Sequence, residues 1–368
     1  MCPHEMKRSE PLHRADKDEV SLRLAFEKRL KQGSIVAHEW RIVQKLGQGG
    51  FGAVYKVVHI ETRALAAFKV ELNREHGVLK LEAKVLRRLE GCPFVPQVLG
   101  SGKKLYYSYL IMSLLGPSLN KILRYYGKIC SVSTQVRIGI NVLYALKQLH
   151  DVCLGKFGFI HRDLKPANLA VGPVGTPFFR LIHIFDFGLA REYIVTSYTG
   201  KTKMRRPRPK AHFRGTLRYC SVNTHEKGEQ GRGDDLWSLL YSLVELRGAL
   251  PWSRARERRQ ILIMKKKISL EDLMANCPVE FIGFAEHLTT LNYYTRPNYA
   301  LLNQLLLQVM KAGRISTKQT ILQANLIMLT VSDRVILAII KTIMGPNKYV
   351  KPVAKANVAQ AIRQIKIK

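Results

Sequence analysis

The chain has 368 residues, enough for one large domain or two ordinary ones, and 46% of them are hydrophobic, which excludes wholesale disorder. Sixty Lys and Arg against 27 Asp and Glu leave a formal charge of +33. Such an excess points to anionic partners, whether phosphates, acidic protein tails or nucleic acid, and says nothing about fold. The six cysteines (Cys2, Cys92, Cys130, Cys153, Cys220, Cys277) are scattered, with no close pair at metal-ligand spacing. A secreted disulfide framework is therefore not expected, and a reducing compartment, cytoplasm or nucleus, is. The first twenty residues hold no apolar core for a signal peptide, and the most membrane-like stretch, 321–340, is interrupted by Asp333 and Arg334. No transmembrane segment is expected.

In chain order, residues 1–37 read as a charged extension with a weak helical stripe at Val20, Leu24 and Phe26. From Trp40 to about Leu115 the pattern is strand-rich, with apolar runs at Val54–Ile60, Ala64–Val70 and Tyr106–Leu114. One helix-like segment, 77–89, interrupts it and repeats Leu79, Glu82, Ala83, Leu86 and Leu89 at helical spacing. From Leu119 to about Met310 the period becomes mostly helical, clearest over 134–150, 235–248 and 299–310. Residues 311–368 carry eleven Lys or Arg against one acid, Asp333, and read as a basic tail whose end is either an amphipathic helix or frayed chain.

The chemistry-bearing residues lie in the strand-rich and the helical regions. Leu46 to Val54 contains Gly47, Gly49 and Gly52 between two strand-like runs. A dinucleotide-binding turn needs a helix after the glycines, so that reading falls. An ordinary hairpin and a hairpin whose bare backbone approaches phosphate oxygens both remain. Lys69 ends an apolar run seventeen residues on, where a lysine usually points to water. Glu82 sits on an otherwise apolar helical stripe, and an acid buried there needs a cation, since an unpaired buried charge is costly. Lys69 is the obvious candidate.

The decisive stretch is His161-Arg162-Asp163-Leu164-Lys165-Pro166-Ala167-Asn168, followed eighteen residues later by Asp186-Phe187-Gly188. With the glycine hairpin, Lys69 and Glu82 ahead of it, this ordered set resembles the protein-kinase signature. The resemblance implies an α+β, bilobal fold: a small antiparallel-sheet N-lobe with one helix (38–115) and a larger helical C-lobe (116–312), flanked by the extension 1–37 and the tail 313–368. It implies ATP and Mg²⁺ as cofactors. Lys69, held by Glu82, would bind the α- and β-phosphates; Asn168 and Asp186 would carry Mg²⁺; Asp163 would accept the substrate hydroxyl proton, with Lys165 near the transferring group. Leu46, Gly47, Gly49, Gly52, Val54, Ala67, Met112 at the gatekeeper and Leu114 in the hinge would complete the ATP site. The lysine in HRDLKPAN is the serine/threonine pattern.

The resemblance narrows further. In place of A-P-E, the chain has Gly215-Thr216-Leu217-Arg218-Tyr219-Cys220-Ser221-Val222-Asn223-Thr224-His225, similar to the casein kinase I group, as is Gly116-Pro117-Ser118-Leu119. Gly231–Leu239, Leu250-Pro251-Trp252, Tyr293–Tyr299 and the Arg-Pro-Arg of 206–208 look most like tau-tubulin kinases. The segment from Leu189 to Tyr219 holds nine Lys or Arg against one acid, Glu192. It is expected to dock acidic or already phosphorylated substrate side chains, with Arg214 and Arg218 leading. Tubulin- or tau-like substrates fit the resemblance, nucleic acid is not an expected partner, and a monomer is expected. The alternatives are a pseudokinase or scaffold binding anionic partners through its basic surface, and a kinase fold that binds nucleic acid or a microtubule surface through its tail. Two departures from the pattern stand out: five extra residues at 153–157 beside the catalytic loop, and a C-terminal tail that does not resemble the family's.

Overall fold

The computed structural model describes residues 30–314, apart from 50–51, 74–76, 127–128, 152–157 and 198–200. The stripe at Val20, Leu24 and Phe26, the 153–157 insertion, the 321–340 stretch and nearly all of the basic tail lie outside the described residues. The described chain falls into two compact units. One holds the residues up to Glu90 together with Gln97–Leu114, and the other holds Gly91–Pro96 and the residues from Leu115 on.

In the first unit, period-two alternation of apolar residues builds a sheet. Its strands are β1 (Ile35–Val36), β2 (Trp40–Gln48), β3 (Gly52–His59), β4 (Leu65–Leu72), β5 (Val98–Lys103) and β6 (Tyr107–Ser113), with helix α1 (Leu79–Arg88) between β4 and β5. The order is β1-β2-β3-β4-β6-β5, and every pairing is antiparallel. One face carries a core of Trp40, Ile42, Tyr55, Val57, Phe68 and Val70, onto which Leu30 and Val36 pack. Tyr109 stacks on Phe68 with ring centroids 5.5 Å apart. The opposite face belongs to the candidate site, because register puts Val54 against Lys69 and Ala67 against Met112. Strands β3, β4 and β6 fall where the apolar runs place them, within two residues. Strand β5 (VLGSGK) was not legible, since its two glycines leave no apolar run and its pairing is set by β6.

Helix α1 has no side-chain cap of its own at Val78. Its first N–H groups are instead satisfied from the sheet: the Glu71 carboxylate of β4 accepts from Val78 N at 3.2 Å and Leu79 N at 2.8 Å. That cap also places a negative charge at the positive end of the helix dipole. Leu79, Ala83 and Leu86 are buried along one stripe, with Glu82 among them.

The second unit is mostly helical: α2 (Leu119–Tyr126), α3 (Val132–His150), α4 (Val222–His225), α5 (Arg232–Glu245), α6 (Arg258–Lys267), α7 (Leu270–Leu273), α8 (Glu280–Thr289) and α9 (Tyr299–Ala312). Three two-stranded ribbons lie between α3 and α4: β7 (Phe159–Ile160) with β10 (Arg191–Glu192), β8 (Leu169–Val171) with β9 (Ile182–Ile184), and β11 (Ile194–Thr196) with β12 (Thr202–Met204). Ser131 caps α3 by accepting from Thr134 N at 3.2 Å. The helix then packs on α5 and α9. Its Val136, Ile140, Leu143 and Leu146 are buried as their spacing predicts. So are Gln135, whose Nε2 donates to Leu243 O, and Asn141, whose Oδ1 accepts from Ile182 N. Among the described residues no helix is long and apolar enough to cross a membrane.

The Glu71 cap is open to test. Glu71→Ala leaves two N–H groups of α1 without a protein partner and should lower unfolding free energy by about 1–2 kcal/mol. Urea denaturation reads this directly, and an unchanged midpoint would mean that α1 is anchored by its apolar stripe alone.

Candidate active site

The residues that sequence analysis singled out fall into two constellations, one in each unit. In the first unit, Lys69 and Val54 share a face of the sheet with Ala67 and Met112, while Leu46 sits at a register shift of β2 between Lys45 and Gly47. Leu114 follows the end of β6. The Lys69 Nζ donates to Glu82 Oε2 at 2.6 Å, and the Glu82 side chain is only 1% exposed. An acid this deep depends on its cation, and breaking such a pair typically costs about 3–5 kcal/mol. Gly49 N donates to Gly52 O at 2.8 Å, closing the turn between β2 and β3. The glycines differ in what they are for. A Cβ on Gly47 would meet nothing within 4 Å, whereas one on Gly52 would lie 1.9 Å from Val70 O. Gly52 is therefore demanded by strand packing, and Gly47 leaves open backbone.

In the second unit the catalytic-loop candidates are joined by short hydrogen bonds. Lys165 Nζ donates to Asp163 Oδ2 at 2.7 Å and to Thr216 Oγ1 at 2.8 Å. The Thr216 hydroxyl in turn donates to Asp163 Oδ1 at 2.6 Å. Asn168 Nδ2 donates to Asp163 O at 3.0 Å and, more weakly, to Oδ2 at 3.4 Å. That use of the amide nitrogen leaves the Asn168 carbonyl oxygen free as a hard ligand. Because Leu169 of β8 pairs with Ile184 of β9, Asn168 and the Phe185-Asp186 dipeptide sit at the same end of that ribbon. Phe185 N donates to Asn168 O at 3.1 Å. One amide oxygen and one carboxylate, at adjoining points of two paired strands, suit a Mg²⁺ ion that keeps waters and phosphate oxygens for its other positions. Among the described residues no group of three His, Cys, Asp or Glu converges as a closed metal nest.

Thr216 carries no role in the sequence signature, and the structure supplies one. It reaches Asp163 because Gly215 precedes it at φ +122°, where a Cβ would lie 2.6 Å from Arg162 O. The G-T pair is the signal that could have found it.

The support behind the loop was also missed. Asp235 of α5 is 1% exposed and accepts three hydrogen bonds: from His161 N at 2.6 Å, Arg162 N at 2.8 Å and the His150 ring at 3.0 Å. It thereby holds Arg162 at φ +69°, an uncommon conformation for a residue with a Cβ. Arg162 Nε donates to Leu189 O at 2.6 Å. Burial, with the nearby charges of Arg191 and Arg208, lowers its pKa to about 10. Asp163 N donates to Nδ1 of His161, so the other ring nitrogen carries the proton and donates to Phe185 O at 3.1 Å. Phe187, fully buried, meets the His161 ring edge-on at 5.1 Å.

The basic segment is less free than its composition suggests. Glu229 is held by Arg208, whose Nη2 donates at 2.9 Å, and by Arg191 at 3.5 Å, while Arg205 faces Glu192 at 3.9 Å. Arg218 Nη1 donates to Glu245 at 3.0 Å. Of the two arginines expected to lead an anion pocket, Arg218 is thus paired with Glu245, whereas Arg214 is exposed and without a carboxylate partner among the described residues.

The protein kinase domain family matches residues 40–324. A Caenorhabditis elegans protein named "Putative serine/threonine-protein kinase" is 45% identical over 290 residues, 78% of this chain and 82% of that protein. An inactive tau-tubulin kinase of the same organism is 37% identical over 246 residues, 64% of this chain and 83% of its own length. Casein kinase I homolog 1 of Saccharomyces cerevisiae is 32% identical over 286 residues, 75% of this chain and 52% of that protein, so the match spans about half of the yeast relative.

Asp235 generates a pH prediction. Burial would raise its pKa, but the hydrogen bond from His150, the attraction of the His150 and His161 rings and the bond from His161 N outweigh burial and hold it below the ordinary 3.8. A depressed carboxyl contributes stability that is present above the unfolded value and lost as pH falls through the folded one. The melting-temperature gap between wild type and Asp235→Asn should therefore be constant at neutral pH and close below about pH 4. A gap independent of pH would show that the carboxylate charge is not what holds the loop.

Proposed function

The chain belongs to the protein kinase family, and from that premise we propose that it is an active serine/threonine kinase of the casein kinase I group, most like the tau-tubulin kinases. The observation that carries this reading is the triangle of Asp163, Lys165 and Thr216, in which a carboxylate, an ammonium and a hydroxyl are fixed within 2.6–2.8 Å of one another. The domain is taken as 38–312, with the basic tail after it.

In the proposed reaction the hydroxyl of a substrate Ser or Thr attacks the γ-phosphorus of ATP, the bond to the β,γ-bridging oxygen breaks, and ADP leaves. Asp163 accepts the hydroxyl proton. Its two oxygens are oriented by Thr216 on one side and by Lys165 and Asn168 on the other, so the base is fixed before substrate arrives. Lys165, already within 2.7 Å of that carboxylate, places a positive charge beside the transferring group. Lys69 holds the α- and β-phosphates while Glu82 keeps its ammonium from swinging away. Leu46, Val54, Ala67, Met112 and Leu114 receive the adenine, and the backbone at Gly47 and Gly49 lies open toward the phosphates. Asn168 and Asp186 would hold Mg²⁺, which supplies neutralisation of the phosphate charge.

The substrate class is read from the basic segment. Lys203, Arg206, Lys210 and Arg214 have no carboxylate partner among the described residues, which supports docking of acidic or phosphorylated protein segments, tubulin- or tau-like in character. An intracellular place of action agrees with the cysteines, of which the four among the described residues, Cys92, Cys130, Cys220 and Cys277, are free thiols. A scaffold that binds nucleotide without transferring phosphate is the second reading, favoured by the 37% identity to a relative named inactive.

The test is phosphate transfer from Mg-ATP to casein and to an acidic peptide. Transfer that disappears in Asp163→Asn supports the enzyme. Nucleotide binding without transfer in the wild type would install the scaffold instead. Thr216→Val removes one bond to the base and one to Lys165, and should lower kcat by roughly 10- to 100-fold with little change in the KM for ATP. Equal losses in both parameters would assign Thr216 to folding rather than to the base.

A further inference from the structure

Glu245 ends α5, at the negative end of a 14-residue helix dipole, so its own helix does not stabilise its charge. Its neighbours do. Arg218 Nη1 donates to Oε1 at 3.0 Å, and the Tyr219 hydroxyl donates to Oε2. The arginine is pinned from two further directions. Its Nη2 donates to Ser253 O at 3.0 Å, and its own carbonyl accepts from the buried Trp252 Nε1 at 2.8 Å. In the pair, the Arg218 side chain is 43% exposed and that of Glu245 19%, so the guanidinium reaches solvent with the carboxylate behind it.

This pair sits next to the reaction centre along the chain. Thr216, which touches Asp163, is two residues before Arg218. Arg218 is thereby close along the chain to where a substrate hydroxyl would meet Asp163, and an anion brought to it meets a guanidinium whose charge is already matched. A carboxylate would have to share the guanidinium with Glu245, which already neutralises its charge. A dianionic phosphate meets a pair with no net charge and is repelled by Glu245 at close range. Both effects remove the preference for an anion that an unpaired arginine would confer.

We propose that Glu245 is a specificity-determining residue: it occupies Arg218 as an internal anion, so that the protein takes a neutral side chain at this point of the substrate, and its neutralisation converts the point into a phosphate site. The proposal rests on the kinase reading and deepens it. Anion attraction is left to Arg214 and the other unpaired cations of the basic segment, which act at positions of the substrate other than the one beside Arg218.

The experiment uses the full chain and peptides with one acceptor serine, in which a single phosphoserine is moved one position at a time along the flanks. The readout is the ratio of kcat/KM for each phosphopeptide to that for its unphosphorylated twin. Glu245→Gln should raise this ratio about tenfold at one flanking position, and adding Arg218→Gln should abolish the rise. An unchanged ratio, or a rise that survives loss of Arg218, overturns the proposal. Tyr219→Phe removes the other bond to Glu245 and keeps the ion pair, so it should leave the ratio where it was. A rise there would mean that a loosened loop is responsible, and would also overturn it.

Two arms keep the proposal falsifiable if Glu245→Gln is inactive or unfolded. Arg218→Gln alone should shift the ratio by less than about threefold, because it removes a charge already matched, and a larger fall overturns the proposal. Binding of the fluorescent phosphopeptides, followed by anisotropy, should tighten about tenfold in Glu245→Gln relative to wild type at one position, and equal affinity overturns it. A wild type that binds peptides yet transfers no phosphate would sink the kinase reading while leaving the anisotropy result to decide Glu245.

Discussion

The second unit depends on one buried carboxylate. Asp235 takes two successive backbone N–H groups of the catalytic loop, at His161 and Arg162, and the His150 ring at the end of α3. It therefore ties the longest described helix, the loop and α5 into one object. The bonds also offset the unfavourable backbone of Arg162, whose left-handed conformation turns the chain so that Asp163 meets Lys165 and Thr216. On the proposed reading a rigid base would matter more than a strong one, since phosphoryl transfer is governed by positioning and charge neutralisation. His150 also bonds the Tyr299 hydroxyl at 2.7 Å, which extends the same network to the start of α9.

Much of this was legible in the sequence, for reasons that can be named. Strands β3, β4 and β6 carry long apolar alternation, and helices α3, α5 and α9 carry apolar stripes, so periodicity alone places them. The partnership of Lys69 with Glu82 followed from a single physical demand, that an acid on a buried stripe find a cation. Asp163, Lys165, Asn168 and Asp186 were singled out because their spacing is the signature itself.

The illegible parts share a different property. Strand β5 exists because β6 offers it a partner, and nothing in VLGSGK announces that. The helix cap at Glu71, the loop support at Asp235 and the hydroxyl of Thr216 each act on residues 7 to 74 positions away, and only the fold brings them together. The partner of Arg218 was illegible in the same way. Composition counts nine cations and one acid in the basic segment, but the acids that answer Arg208 and Arg218 lie outside it, at Glu229 and Glu245. Charge along the chain overstates charge at the surface whenever the counter-ions come from elsewhere.

The two anchors of α1 lie two residues apart on one strand. Glu71 grips the helix at its first turn, and Lys69 reaches Glu82 just beyond. Residues 69 and 71 project from the same side of β4. The far end is fastened as well, since Arg87 donates to the Ser101 hydroxyl of β5 and Leu86 and Leu89 are buried. A pull on the Lys69 ammonium is therefore shared between strand and helix as one body, instead of being taken up by β4 alone.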